Sequence, residues 1–212
     1  MRKYKENKIL NLIKGHVLKN KKEYIVIFLF FIVGIFLGVF FVNNMQEGQK
    51  LEMGNYLDGF NEKLKSTENL NFGELLRNSI GQNLLLAFII WFFGTTVIGI
   101  PIVFGMILYR GFCLGYTISI TIVSMGVSKG FIFILVSLLL QSILFIPAII
   151  ALAVSGFKLY KSIIKDKNKE NIKIEVVRHT VFSLIMSIIL VLSSVIEIFI
   201  STNILKQIVK YF

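Results

Sequence analysis

The chain has 212 residues, of which 55% are hydrophobic and 17% charged, and its mean hydropathy is +0.76. Hydropathy that high excludes an ordinary water-soluble domain. The formal net charge of +11 would suit nucleic acid, but the lysines and arginines cluster beside apolar segments, which favours an anionic membrane surface as the partner. The single cysteine, Cys113, excludes a disulfide framework and a cysteine-based metal site.

The amino terminus, residues 1–23, is basic, with eight lysines or arginines against two glutamates. Ile9, Ile13 and Val17 recur at helical spacing, which predicts a short amphipathic helix on the cytoplasmic membrane surface. A disordered basic tail that serves only as a topology signal is the alternative.

Residues 24–42 follow without a charge and are long enough to cross a hydrocarbon core of about 30 Å. No small-residue cleavage site comes after them, so we interpret them as a retained membrane anchor.

Residues 43–83 form the one sizeable polar segment between apolar runs, with six acidic and four basic residues. Leu57, Phe60 and Leu64 lie on one apolar stripe at helical spacing, and a second stripe covers 72–80. These stripes predict amphipathic helices in an extracytoplasmic loop. Their apolar faces either pack on the protein's own spans or dock a partner, and we assign the first stripe as the candidate partner surface.

Residues 84–157 carry the strongest signal for insertion into a membrane, because apolar residues surround any helix drawn through them. In lipid only helices and closed barrels satisfy their backbone hydrogen bonds, and no strand-like alternation indicates a barrel. A short turn at Arg110 is predicted to divide the first two of three spans in this core. The predicted spans of the whole chain are 24–42, 84–108, 112–128, 131–157 and 181–203. The sequence therefore predicts an all-α polytopic membrane protein with about five transmembrane helices.

Positive charge sets the predicted orientation of these spans. The loop 158–180 holds seven lysines or arginines against three acidic residues. It lies on the same side as the amino terminus only if 112–128 crosses the membrane, so we predict a crossing there rather than a re-entrant segment. Five crossings place the amino terminus in the cytoplasm and the short tail 204–212 outside. Inside segments then hold sixteen lysines or arginines, Arg110 included, and outside segments seven.

Prolines and glycines interrupt the spans. Pro101 and Pro147 each remove a backbone donor, which predicts a kink at each position. Gly34 and Gly38 form a GxxxG pair in the first span, a pattern that permits close approach of helices in lipid. Further glycines in the core either pack helices tightly or line a pore, and we favour packing. These core glycines are Gly94, Gly99, Gly105, Gly111 and Gly115.

Two polar residues of the spans, Gln141 and Glu197, are candidates for a specific role. The Gln141 amide needs a hydrogen-bond partner on another helix. A carboxylate in lipid is costly and marks a candidate functional site, although Glu197 lies near the predicted outer face, where a bond across helices or water would satisfy it. Together with Thr95 and Thr96, these residues would carry the alternative function, a small-solute channel or transporter.

No catalytic motif is recognisable in the chain. It contains neither HExxH, nor a Walker lysine loop, nor GxSxG. Both histidines, His16 and His179, lie on predicted cytoplasmic flanks, so no histidine is expected in a span to activate a serine. We therefore expect a protein that is not an enzyme and has no cofactor or metal site. A weaker interpretation, an intramembrane enzyme, would depend on Ser142 or Ser155.

The order of the segments and several local motifs resemble stage II sporulation protein M, a family of endospore-forming bacteria. The resemblance covers nearly the whole chain, and its motifs are VNNM at 42–45, WFFGTTVIGIPIVFGMILYRGFCLGYT at 91–117, MGVSKGF at 125–131 and LLLQSILFIPAIIALAVSGF at 138–157. The broader family tends to carry a Pro-His pair and a Glu in the last of these segments. Here Gln141, Ser142 and Phe145 stand instead, and Gln141 and Pro147 match the sporulation branch.

The resemblance implies a role in engulfment of the forespore. Proteins of this family sit in the mother-cell membrane at the septum and recruit a peptidoglycan amidase and a lytic transglycosylase, the stage II sporulation proteins P and D. On this resemblance, the chain is expected to be a non-enzymatic scaffold in the septal and engulfing membrane. Its expected partners are those two enzymes and the lipid bilayer, with no nucleic acid, and homo-oligomerisation is left open.

Overall fold

The computed structural model describes residues 15, 17–18, 20–65, 71–165, 169–201 and 203–205. These residues are almost wholly helical, and no strand occurs among them. In chain order the α-helices are α1 (Lys21–Asn43), α2 (Glu47–Lys65), α3 (Phe72–Gly94), α4 (Ile100–Met125), α5 (Val127–Ile134), α6 (Leu140–Lys165) and α7 (Lys169–Ile196). Two π-helical segments, Leu135–Leu139 and Glu197–Ser201, precede α6 and follow α7. The amphipathic helix predicted within 1–23 falls mostly outside the described residues.

Five of these helices are long and apolar enough to cross a membrane. They are α1, α3, α4, α6 and α7, the last extended by the π-helical segment that follows it. The predicted all-α membrane fold with five spanning helices is confirmed. The short helix α2 lies between the first two spans, and α5 lies between the third and the fourth.

The chain turns between α3 and α4 earlier than the sequence indicates. The predicted spans 84–108 and 112–128 place that turn at Arg110, whereas the structure has it at 95–99 and continues α4 through Arg110. The predicted boundary is wrong, and Arg110 lies within a spanning helix. The apolar stripe 72–80 likewise forms no separate amphipathic helix, because α3 includes it and continues into the span.

Local hydrogen bonds explain why the turn between α3 and α4 forms where it does. The Thr95 hydroxyl donates to the Phe92 carbonyl at 2.6 Å, and the Thr96 hydroxyl accepts from the Gly99 backbone N–H at 3.0 Å. Pro101 follows in the first turn of α4, where a missing backbone N–H breaks no helical hydrogen bond. The kink predicted at Pro101 is therefore wrong, since this proline begins a helix instead of interrupting one.

The last two spans also differ from their predicted bounds. The predicted span 131–157 covers α5, the first π-helical segment and part of α6, and α6 then continues to Lys165. Pro147 lies inside α6, as expected. Helix α7 begins at Lys169, well before the predicted start at 181, so much of the predicted loop 158–180 is helical.

Contacts between helix ends define two ends of the bundle. At the basic end, Lys161 of α6 pairs with Glu23 of α1 at a distance of 2.8 Å. The start of α1, the turn between α3 and α4, and the junction of α6 with α7 all belong to this end. At the opposite end, which we call the loop end, the Phe72 ring of α3 stacks on Phe199 with centroids 6.3 Å apart.

Helices α1 and α4 approach until their backbones touch. A Cβ atom added at Gly34 would overlap the carbonyl oxygen of Leu108, and one added at Gly38 would overlap that of Phe112. These two glycines therefore contact the surface of α4 with no side chain between. Close approach through small residues is how helices associate in lipid, where the hydrophobic effect does not drive them together.

The contact is reciprocal, because α4 presents its own glycines to α1. A Cβ atom at Gly111 would overlap the carbonyl oxygen of Phe31, and one at Gly115 would overlap that of Ile35. Both GxxxG patterns advance in the same direction, so α1 and α4 run parallel. Their shared face adjoins an apolar core of fully buried residues from α1, α3, α4, α6 and α7. Among these are Ile27, Ile90, Ile107, Ile149, Leu152 and Leu190.

Alanine at Gly111 is expected to destabilise the protein by about 1–3 kcal/mol, because its Cβ would push α4 away from the α1 backbone. Gly105 provides a matched control on the same helix, since a Cβ there meets nothing within 4 Å. Thermal unfolding in detergent micelles should show a lower midpoint for Gly111→Ala and an equal or higher one for Gly105→Ala. Equal midpoints for the two variants would contradict the backbone contact.

Candidate functional site

A line of polar side chains joins α3 to the antiparallel helix α7, and we call it the polar seam. It comprises three hydrogen bonds between side chains: Ser79 Oγ to Glu197 Oε2 at 2.6 Å, Asn83 Nδ2 to Ser194 Oγ at 2.7 Å, and Trp91 Nε1 to Thr180 Oγ1 at 3.1 Å. The Asn83 and Ser194 side chains are buried. Each bond satisfies polar groups that would otherwise face hydrocarbon. The seam thus fixes the rotation and register of α3 against α7.

The basic end of the seam contains a buried histidine. His179 of α7 is only 1% exposed, and its Nδ1 lies 2.9 Å from the Ser155 hydroxyl of α6. Its Nε2 lies 3.4 Å from the Trp91 carbonyl oxygen of α3. A carbonyl can only accept a hydrogen bond, so we assign the proton to Nε2, which leaves Nδ1 to accept from Ser155. One imidazole thereby joins three spanning helices.

Two glycines make room for this imidazole. A Cβ atom at Gly94 would lie 3.1 Å from the Cα of Gly156 and 3.1 Å from Nε2 of His179. The predicted position of His179 on a flank, with no histidine in a span, is wrong. Helical spacing in the sequence could have indicated that His179 is buried, because small or apolar residues at that spacing continue its face of α7. These residues are Ser183, Met186, Leu190 and Ser194.

The histidine and serine have little space around them. The cavity beside them measures about 20 Å³, which is room for one water molecule. Its lining includes Lys158, Glu175 and Arg178, and Glu175 pairs with both of these basic side chains. A serine hydroxyl that donates to a histidine is half of a nucleophilic arrangement, but a cavity of this size holds no organic substrate. The geometry is that of a helix-joining contact.

Arg110 places a positive charge inside the bundle. Its guanidinium carbon lies 4.9 Å from the centroid of the Phe145 ring on α6, which is within cation–π distance. It is also attracted coulombically to Glu197, the carboxylate that accepts from Ser79. Ionisable side chains within spans face the bundle interior and other polar groups, and this pair does both.

The predicted carriers of transport do not converge. The hydroxyls of Thr95 and Thr96 bond to backbone atoms of their own turn at the basic end. Glu197 lies toward the loop end, bonded to Ser79. The Gln141 side chain falls outside the described residues. The linings of the two apolar cavities and of the small cavity beside Ser155 include none of these four residues.

The core glycines named from the sequence lie at three different places. Gly111 and Gly115 contact α1, and Gly94 contacts α6 and the imidazole. Gly99 lies in the turn before α4, where an added Cβ would overlap the chain's own Phe93 carbonyl oxygen. They therefore do not form one continuous face.

Helix α2 packs against α4 toward the loop end, and a Cβ at Gly54 would lie 3.6 Å from the Ser124 hydroxyl. Leu57 is half-buried on this packed face. The exposed surface of α2 includes Leu51 and Tyr56, which are 68% and 74% accessible. The other two residues of the predicted stripe, Phe60 and Leu64, belong to α2, but their side chains fall outside the described residues.

The family model of stage II sporulation protein M matches residues 27–202, from the first turns of α1 to the end of the second π-helical segment. The chain belongs to this family. The match includes all five spanning helices as well as α2, and it makes the chain a sporulation membrane protein. No curated protein and no solved structure is similar enough to match. Family membership, the polar seam and the exposed face of α2 are therefore the observations on which a function rests.

The bond between Asn83 and Ser194 is expected to show a coupling of about 0.6 kcal/mol and at most about 1.7 kcal/mol, the mean and the maximum for such bonds between membrane helices. A double-mutant cycle of unfolding free energies with Asn83→Leu and Ser194→Ala measures it. Gln82, which is exposed on the same helix, supplies the control Gln82→Leu. Coupling between Asn83 and Ser194 no larger than that between Gln82 and Ser194 would contradict the seam.

Proposed function

We propose that this family member is a non-enzymatic membrane scaffold for septum migration and engulfment of the forespore during sporulation. It recruits and anchors peptidoglycan hydrolases, the stage II sporulation proteins P and D, at the septal membrane of the mother cell. The family match over residues 27–202 is the single observation that carries this proposal. Charge, the exposed surface of α2 and the small cavity at the serine–histidine pair support it from independent directions.

Charge supports an orientation with the basic end in the cytoplasm. Segments 1–23 and 158–180 hold fifteen lysines or arginines, whereas segment 43–83 holds four and segment 126–139 holds one. Cytoplasmic segments carry the excess of positive charge in membrane proteins. In this orientation α2 faces the compartment that contains the cell wall, where peptidoglycan hydrolases act.

The exposed face of α2 is our candidate for the hydrolase-binding surface. Leu51 and Tyr56 are five residues apart, about 140° around the helix, so they lie at the two sides of a broad exposed surface that also includes Glu52 and Asp58. An aromatic side chain and an aliphatic side chain within a polar surround make the usual anchor of a protein interface. Contact with α4 holds the helix in place, so its recognition face is ordered before a partner arrives.

The geometry of the one buried serine–histidine pair supports a role without bond chemistry. The Ser155 hydroxyl donates to His179 inside a cavity that admits about one water molecule. A hydrolase of peptidoglycan would need a site open to the wall compartment, whereas this pair lies at the basic end. Wall cleavage therefore belongs to the recruited enzymes in this proposal.

Deleting the gene is expected to stall engulfment and to disperse the amidase from the septum, as seen by fluorescence microscopy of a tagged amidase in sporulating cells. Normal amidase localisation in the deletion strain would refute recruitment.

The double substitution Leu51→Asp with Tyr56→Ser is expected to disperse the amidase while the protein itself stays in the membrane at its normal level. Both side chains are largely exposed, so their loss should leave the bundle folded. Asn78→Ala, at an exposed position in the first turns of α3 and outside α2, is the control and should leave the amidase at the septum. Septal amidase in the double variant would exclude this face as the binding surface.

Ser155→Ala and Ser142→Ala are each expected to leave engulfment intact, because neither hydroxyl is assigned a chemical step. Ser155→Ala also removes the donor to His179, which is expected to lower the stability of the bundle by about 1–3 kcal/mol. Engulfment is scored by membrane staining, and an immunoblot of membranes checks protein abundance. Engulfment lost in either variant at an unchanged protein level would support an intramembrane enzyme and contradict the scaffold.

A further inference from the structure

A lateral apolar groove lies between α1, α6 and α7, and its volume is about 560 Å³. Its walls include Tyr24 and Phe28 of α1, Pro147 and Ala151 of α6, and Met186 of α7. Ala148 and Ala151 of α6 have small side chains, so space remains between α6 and its neighbours α1 and α7. Rim residues Ile25 and Ile143 are 59% and 67% accessible, so the groove opens sideways to the surroundings of the bundle.

The volume of the groove decides which kind of occupant fits it. At about 560 Å³ the groove lies within the size range of small-ligand pockets. On α1 it involves only the first turns, Tyr24 to Phe28, although this helix continues to Asn43. A partner's transmembrane helix therefore does not fit, whereas a flexible hydrocarbon chain does.

The charged groups beside the groove select the headgroup of such a chain. Tyr24 of the lining immediately follows Glu23, which pairs with Lys161. Lys21 and Lys22, in the same turn of α1, are exposed, and neither takes part in the ion pairs formed within the described residues. Lysines beside an apolar groove at a membrane interface bind acidic headgroups.

We propose that this groove is a binding site for an anionic phospholipid, with one acyl chain between α1, α6 and α7 and the phosphate beside Lys21 and Lys22. The site lies at the basic end and is separate from the exposed face of α2. It does not depend on the scaffold function, and it would stand even if recruitment of hydrolases were refuted.

The test uses the full-length protein in nanodiscs with equal amounts of phosphatidylglycerol and phosphatidylcholine. Native mass spectrometry counts the lipids that stay bound after the nanodisc is removed. We expect phosphatidylglycerol to be enriched over phosphatidylcholine. Lys21→Gln with Lys22→Gln should lower this enrichment by about fivefold for each lysine, since each contributes about 1 kcal/mol. The control Lys165→Gln with Lys173→Gln removes the same charge at the same end and should leave the enrichment unchanged.

Filling the groove tests the position of the acyl chain. Ile143→Trp adds bulk at the rim and should reduce retention of both lipids, whereas Ile188→Trp, exposed on α7 outside the groove, should not. Equal lipid retention in Ile143→Trp and Ile188→Trp would overturn the proposal. An unchanged enrichment of phosphatidylglycerol in Lys21→Gln with Lys22→Gln would also overturn it.

Val17 also lines the groove, so the preceding segment is a rival occupant. Higher lipid retention after deletion of residues 1–14 would assign the groove to that segment and refute the lipid site.

Discussion

Contact between the backbones of α1 and α4 is the constraint on which the arrangement of the bundle depends. In water, burial of apolar side chains would hold two such helices together, but lipid removes that driving force. What remains is dispersion between closely fitting surfaces and the bonds of polar groups that lipid cannot satisfy. Gly34, Gly38, Gly111 and Gly115 provide the closest fit in the described structure, with backbone against backbone. Once α1 is fixed on α4, α6 and α7 complete the buried core against them.

The polar seam complements this contact on the other side of the bundle. Glycines permit close approach, but a smooth surface leaves rotation and register weakly specified. Directional bonds from Asn83 to Ser194 and from Ser79 to Glu197 specify both for α3 and α7. His179 adds α6 to the same network through Ser155. The result is a bundle that fixes the position of α2, the helix between the first two spans.

Much of the fold could be predicted from the sequence, because lipid imposes a strict relation between apolar length and helix. The class of fold followed from hydropathy, and the number of spans from hydropathy together with the distribution of positive charge. The helix boundaries did not, since Arg110 and His179 suggest loops when each is considered by itself. Arg110 lies within a span because Phe145 and Glu197 stabilise its charge. His179 lies within a helix because Ser155 and the Trp91 carbonyl form hydrogen bonds with its ring. Such partners are distant in sequence, and only the packed structure identifies them. The exposed pair on α2 was missed for a related reason, as an apolar stripe indicates the face that packs and not the face left open.

Orientation of the bundle is the claim on which the function depends, because α2 meets wall enzymes only if it lies outside the cell membrane. Single cysteines at Asn55 in α2 and Ile98 in the turn before α4, both exposed, test it in a Cys113→Ser background. The reagent is a maleimide that passes through the cell wall but not through the membrane. In intact cells we expect it to label Asn55→Cys. We expect it to label Ile98→Cys only after the membranes are opened. Labelling of Ile98→Cys in intact cells, with Asn55→Cys protected, would place the surface in the cytoplasm and contradict the account.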